Sequence, residues 1–570
     1  MRTPGRSKGN SFSGPPALVA TGVDPDVTSL LGTKVGSSYN EYEATLIVPP
    51  ADGNVAVTYK VYRVRWHMLG IFCVLTFTNA FLWISFSPIV ALTERYYGVS
   101  ATYVNLLSAL FMVLYLPGSY LAMYLITKYG LRTSITVGAV LMAIGGWIRY
   151  ASVYVAKASA TPSFFAYVLL LLGQSFPALA QPLFTNVPAK LAGDWFPNSE
   201  RDIATVIAAL FNPLGNAAGQ VIPTLLVSCV VGLSTTSLHF GTTSLITTPS
   251  SSISASNSTN HVCPTPHDVI GMESLLLIQA CLATFSAVWA TGWFREDPPT
   301  PPSKSAEIRA HERRRYDLSP PSLRMSPSST IRNHLRSLLS DREFLKLLVG
   351  FGLGLAVFNA MLTVLAQLIQ PLYGKTASDI NQASDDAGMY GGVLIGAGLI
   401  GAAIVGPILD CTHYYRTFLK GGFLVAIAGL TFMLLQLAPN NQTMITIGMG
   451  CMGLCMMPLL PVGLETAVEC TYPVPEEMSA TLLMLVGNLV GLSFTYLMQY
   501  LISREPVYNP NTTFTGAGIL MLSVVVFSGC VIMTFQGKYK RLEAERSQNE
   551  DNEASLLQRD MMPRYSEEAQ

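Results

Sequence analysis

The sequence predicts an all-α membrane protein with twelve spans in two groups of six. Three observations carry this. Of 570 residues, 50 % are hydrophobic and only 12 % charged, about half the charged share of a typical soluble domain. The apolar residues come in blocks of about 20–29, enough at ~1.5 Å per residue to cross a ~30 Å hydrocarbon layer. A long polar stretch, 295–343, then separates two sets of six such blocks.

The first set runs 66–92, 102–126, 133–153, 164–189, 203–231 and 270–293. The second runs 344–371, 389–409, 418–438, 443–464, 478–502 and 515–536. Membrane strands would need alternating segments of ~10 residues, which do not occur. Residues 1–60, rich in Gly, Ser, Pro and Thr, predict a disordered tail. They lack the apolar core of a signal peptide, so the first span is expected to act as signal anchor. The expected organisation is a cytoplasmic tail (1–60), a six-helix bundle (61–294), a cytoplasmic linker (295–343), a second bundle (344–536) and a cytoplasmic tail (537–570). The linker opens Arg295-Glu296-Asp297-Pro298-Pro299 and passes through Arg313-Arg314-Arg315. It predicts one short amphipathic helix at 331–340, with Ile331, Leu335, Leu338 and Leu339 on one face.

Orientation follows from charge. With the N-terminus in the cytosol, 30 of the 35 Lys and Arg fall inside, and only Arg95, Lys157, Lys375 and Arg504 fall in outer loops. Arg149 lies within span three and is expected to snorkel to the outer interface. Three sequons, at Asn257, Asn441 and Asn511, all fall in loops assigned outside, where glycosylation is possible. The formal net charge is zero, which excludes a generally basic nucleic-acid binder. Nine cysteines are scattered without a CxxC, so no zinc site is expected, although Cys229 and Cys263 face one compartment and are candidates for a disulfide. No phosphate-binding loop, nucleophile elbow or HExxH occurs, which disfavours an ATP-driven pump or a hydrolase. No catalytic residue, metal or cofactor is expected; the expected partners are a small-molecule substrate and the bilayer, with the chain a monomer.

Twelve spans split six and six by a charged loop is the layout of a major facilitator transporter, which holds substrate at mid-membrane between two rocking halves. The loop between spans two and three supports it. It reads Gly118-Ser-Tyr-Leu-Ala-Met-Tyr-Leu-Ile-Thr-Lys128-Tyr-Gly130-Leu-Arg132, similar to the superfamily's Gly-x-Leu-x-Asp-Arg-x-Gly-Arg. Lys128 and Gly130 fit, Arg132 sits one residue late, and Thr127 replaces the acid. The counterpart after span eight, Gly406-Pro-Ile-Leu-Asp410, keeps it. These residues are candidates for conformational gating, through pairing with carboxylates or helix C-termini; a plain basic turn is the alternative.

Further segments sharpen the match. Span one contains Thr78-Asn79-Ala80-Phe81-Leu82-Trp83. Span four contains Ala180-Gln181-Pro182, then Pro188 to Ala192 and Trp195-Phe196. Asn212-Pro-Leu-Gly215 follows, and span ten ends Leu460-Pro-Val-Gly-Leu-Glu465-Thr-Ala-Val-Glu469-Cys-Thr-Tyr-Pro473. Over residues 60–536 the chain resembles the feline leukaemia virus subgroup C receptor-related proteins, solute carrier family 49. The resemblance implies facilitative transport of small organic solutes: choline and ethanolamine for some members, haem export as a disputed proposal, and a vitamin B6 activity in another branch. It also implies that Trp83 and Gln181 belong to a substrate pocket and that Glu465 and Glu469 are structural pairing residues near the inner end of span ten, which makes them further candidates for conformational gating.

Read by themselves, the residues leave alternatives. A Trp deep in a span is less usual than one at the interface. Trp83 either packs or caps a cation with its ring face, with Phe81, Phe86 and Tyr115 as candidate cage members. Gln174 and Gln181 share one face of span four, and Asn212, Asn216 and Gln220 form a stripe on span five. Such groups face a cavity or hydrogen-bond between helices. The expected substrate-binding set is Trp83, Asn79, Gln181, Asn359 and Asn488. The last two stand where some relatives have Tyr and Gln, which predicts a less aromatic, slightly larger pocket. No acid or His lies clearly at mid-membrane, which favours uniport over proton coupling.

The expected function is alternating-access transport of a small polar or cationic solute. The alternatives are export of haem or another amphiphile, or a non-transporting receptor or nutrient sensor. The expected membrane is the plasma membrane. The stretch Asp26-Val-Thr-Ser-Leu30-Leu31, which fits an acidic dileucine sorting signal, gives the vacuolar or lysosomal membrane as the alternative.

Overall fold

The computed structural model describes residues 42–48, 57–158, 164–197, 200–229, 269–303, 306–307, 327–374, 376–412, 414–505 and 514–543. Asn257, Asn511, Cys263 and the Asp26–Leu31 stretch lie outside these residues.

Ten helical stretches among the described residues are long and apolar enough to cross a membrane. The first six blocks of the sequence become α1 (Val64–Ile84), α2 (Val90–Tyr97), α3 (Ala101–Ala158), α4 (Phe164–Thr185), α5 (Pro188–Trp195), α6 (Arg201–Leu226) and α7 (Met272–Trp293). The helix predicted for the linker is α8 (Pro327–Ser340). The second set becomes α9 (Arg342–Ile369), α10 (Ala377–Thr412), α11 (Tyr415–Leu435), α12 (Gln442–Met456), α13 (Leu459–Thr471), α14 (Glu476–Arg504) and α15 (Gly516–Met533).

Several blocks differ from their predicted outlines, and the causes are local. Span one breaks after Ile84, where Pro88 has no N–H to donate to the Ile84 carbonyl and the Ser87 N–H bonds to it instead at 2.9 Å. Span four breaks before Pro188 and span ten before Pro458 and Leu459. Spans two and three are the two limbs of α3, separate helices that meet at Gly130, whose φ 84° and ψ 177° are not helical. α6 is not among the ten apolar stretches, because Asn212, Asn216 and Gln220 dilute its hydropathy.

The tail also departs from expectation. Tyr42–Val48 (β1) and Val57–Tyr62 (β2) pair antiparallel, with Thr45 opposite Lys60 and Ile47 opposite Thr58. Both segments are rich in β-branched and aromatic residues, which favour strands. A second, two-residue ladder joins Ser228–Cys229 (β3) to Val269–Ile270 (β4), and Cys229 is disulfide-bonded. The start of the linker folds back on the first bundle. Trp195 Nε1 donates to the Glu296 carbonyl at 3.1 Å, and the Tyr62 and Thr300 hydroxyls lie 3.1 Å apart.

In the first half, α3 packs on α4 and α7, and α1 on α6. In the second, α9 packs on α14 and α15, and α10 and α11 pack on α12. The halves meet through α6 against α10 and α3 against α14. Hydrogen bonds across this seam gather at the end remote from the Gly130 bend. Ser87 Oγ donates to the Leu362 and Thr363 carbonyls at 2.5 and 2.9 Å. The carboxamides of Asn105 and Gln367 exchange bonds of 3.2 and 3.0 Å. Asn381 binds both the N–H and the carbonyl of Cys229, at 2.9 and 3.0 Å. Gln220 donates to the Leu362 carbonyl at 3.2 Å and Gln499 to Thr102 Oγ1 at 3.0 Å. These contacts close the remote end.

Candidate functional site

Beneath the closed end lies a cavity of about 120 Å³ between the two halves. At ~10–15 Å³ per water-sized group it holds roughly eight to twelve such groups. The first half contributes Trp83, Tyr115, Gln181, Thr185, Asn212 and Asn216. The second contributes Asn359, Asn488, the rings of Phe351, Phe358 and Phe423, and the thioethers of Met456, Met457 and Met484. The lining residues include no Asp, Glu, Lys, Arg or His.

Trp83 is 5 % exposed, and its Nε1 donates to the Ser108 carbonyl on α3 at 3.2 Å. With the polar edge of the indole so engaged, the ring has its π face left for interaction. Phe111 backs it at 6.5 Å between ring centroids. Tyr115 is buried too, its hydroxyl donating to Asn186 Oδ1 at 3.0 Å. Across the cavity Asn359 Nδ2 donates to Asn488 Oδ1 at 3.4 Å, and Asn488 Nδ2 to the Met484 carbonyl at 2.9 Å. Asn216 Nδ2 lies 3.4 Å from Asn212 Oδ1 and donates to it. Gln181 Oε1 is buried without a hydrogen-bond partner. The walls therefore offer aromatic faces, thioethers and neutral carboxamides. That chemistry suits a small solute that is neutral or carries a diffuse positive charge, and it offers nothing to pair with an anion.

Four of the five expected substrate residues, Trp83, Gln181, Asn359 and Asn488, line this cavity. Asn79 does not. It is 1 % exposed and its Nδ2 donates to the Pro177 carbonyl at 2.9 Å, stitching α1 to α4. Of the candidate cage, Tyr115 lines the cavity, whereas Phe81 and Phe86 are buried in the first half's own core. Gln174, one face with Gln181, is drawn instead to the Leu82 and Leu107 carbonyls at 3.2 and 3.3 Å. The Phe and Met walls of the second half were not singled out in the sequence. The available signal was Met456-Met457-Pro458, where a helix break turns thioethers inward.

The expected gating residues sit apart from the cavity. Lys128 is exposed at the α3 bend, its Nζ donating to the Tyr124 hydroxyl at 2.8 Å and lying 4.9 Å from the Tyr129 ring centroid. The Glu296 carboxylate occupies the space a Cβ on Gly130 would need, and Oε1 accepts from the Leu131 N–H at 3.2 Å. It caps the second limb of α3, taking a place at this bend where the motif's own acid is replaced by Thr127. Arg132 is exposed. Asp410 lies on α10. Glu465 is exposed on α13, and Glu469 is buried and accepts from the Leu542 N–H at 3.2 Å, fastening the chain beyond α15. Asn441, the sequon asparagine within the described residues, is half-buried at the start of α12, its amide donating to the Gln436 carbonyl at 3.0 Å.

A family model described as Major Facilitator Superfamily matches residues 72–253 and 267–493. The chain belongs to the major facilitator superfamily. It is an integral, multi-pass membrane protein of a transporter family. It is 29 % identical over 502 residues to solute carrier family 49 member A3 of Xenopus tropicalis, covering 85 % of this chain and 90 % of that protein. It is 27 % identical over 436 residues to the human choline/ethanolamine transporter FLVCR2, covering 76 % of this chain and 72 % of that one. These relatives bear out the resemblance to solute carrier family 49. Among solved structures, the xylose transporter XylE of E. coli superposes with a TM-score of 0.56 at 11 % identity, over 84 % of this chain and 98 % of that one. The superposition shows a shared fold.

Proposed function

We propose that the protein carries a small polar or cationic organic solute across the membrane by alternating access, without ion coupling. The observation that carries this is the cavity between the halves, walled by the Trp83 ring and neutral carboxamides and closed at one end by cross-half hydrogen bonds. A choline- or ethanolamine-like solute suits its chemistry and its relatives. The lining carries no carboxylate or imidazole, which supports facilitative transport over a proton relay. In this reading the Gly130 end faces the cytosol, as the basic residues indicate, and the remote end faces outside or the lumen. The residues proposed to contact substrate are Trp83, Gln181, Asn359 and Asn488. Uptake of radiolabelled choline and ethanolamine into proteoliposomes tests it. Saturable flux, unchanged by a protonophore, is expected; binding without flux would favour a receptor.

A further inference from the structure

Arg149 stands in the second limb of α3, away from the cavity, and it does not snorkel. It is 1 % exposed. Its Nη2 donates to Ser85 Oγ at 3.3 Å, and its guanidinium carbon lies 5.1 Å from the Phe86 ring centroid. Nε and Nη1 are buried without a partner, and no carboxylate pairs with it among the described residues. The ionisable side chain beside it is Tyr97, whose hydroxyl is already bonded to Ser152 at 2.9 Å. Gly173 of α4 packs directly against Arg149: a Cβ there would lie 2.7 Å from the Arg149 backbone nitrogen and 2.8 Å from its Cγ.

A guanidinium does not deprotonate inside a protein. An isolated buried charge is among the costliest features a fold can carry. With no acid in place among the described residues, an anion from outside the chain would neutralise it. A second group points the same way. Gln279 of α7 is 1 % exposed, and both its carboxamide atoms are unpartnered. Its neighbour Ala280 packs on Gly146, 3.2 Å from where a Cβ would stand and one turn before Arg149 on the same helix. We propose that Arg149, with the Gln279 amide, binds a small monovalent inorganic anion of the halide class inside the first bundle. The N–H groups left free, Nε and Nη1 of Arg149 and Nε2 of Gln279, are the donors such an ion requires. The site is separate from the solute cavity and would neutralise the charge without carrying cargo.

The test is thermal unfolding of the full-length protein in nanodiscs, titrating chloride against gluconate at constant ionic strength. The wild type should gain several degrees in Tm, saturating with chloride, as ligand binding to the folded state demands; bromide should substitute. Arg149→Met should show no halide dependence and, without chloride, be at least as stable as the wild type. Equal wild-type Tm in chloride and gluconate, or a full chloride response in Arg149→Met, would overturn the proposal. If Arg149→Met does not fold, Gln279→Leu decides: a chloride midpoint raised roughly threefold or more, the worth of one lost hydrogen bond, supports it, and an unchanged midpoint refutes it.

Discussion

Asn359 and Asn488 form the polar part of the second half's wall, and their contact spans α9 and α14. Replacing either by Leu removes a hydrogen bond worth about 1 kcal/mol and leaves its partner short of one in an apolar setting. Asn359→Leu or Asn488→Leu is expected to raise the KM for uptake about tenfold with normal surface expression; an unchanged KM would remove the pair from the substrate path. Both residues were readable in the sequence, because an uncharged carboxamide in an apolar run has few reasons to be there. Asn79 looked equivalent by that criterion and is not. Helical spacing places it near Trp83, but whether a carboxamide turns to a cavity or to a backbone carbonyl on a neighbouring helix depends on three-dimensional packing. Arg149 misled for a related reason. Its place in the span was legible, but its burial against Ser85, Phe86 and Gly173 was not.

At the scale of the elements, most of the outline was legible. Runs of apolar residues mark helices, but the predicted spans run on through Pro88, Pro188 and Pro458, where the structure splits three of them. The β1–β2 hairpin was not legible, because its strands lie within a tail whose overall composition reads as unstructured. The interruption between spans two and three was legible, and it falls at Gly130, between Lys128 and Arg132. The bend at Gly130 uses a backbone region open almost solely to glycine, and its missing Cβ leaves room for the Glu296 carboxylate. Gly130→Ala should therefore destabilise the protein by at least ~1–3 kcal/mol. The check is a fall of several degrees in Tm in detergent; a Tm equal to the wild type would show that the bend tolerates a side chain. Glu296→Gln should preserve the bend and weaken only the cap on α3.

For the whole molecule, the two halves and the polar break between them were evident from hydropathy. The state captured was not, because it depends on pairs far apart in sequence. Asn105 meets Gln367, and Cys229 meets Asn381. These bonds hold the remote end shut, so weakening them should shift the population toward opening there. Asn105→Ala with Gln367→Ala removes both bonds of the exchange, each worth about 1 kcal/mol, and should raise the open fraction roughly tenfold or more. Labelling of a cysteine placed at Thr363, which is buried while the end is closed, by an impermeant reagent would report it, and labelling no faster than in the parent would contradict the closure.

The most direct test of the account is uptake of labelled choline or ethanolamine by proteoliposomes holding either the wild type or Trp83→Ala. Losing the ring removes both a cavity wall and a cation–π face, the latter worth ~0.5–2 kcal/mol. The account predicts saturable uptake by the wild type and a fall of at least tenfold in Trp83→Ala that is correctly folded by size-exclusion profile. Equal uptake by the two proteins would mean that the solute does not pass through this cavity.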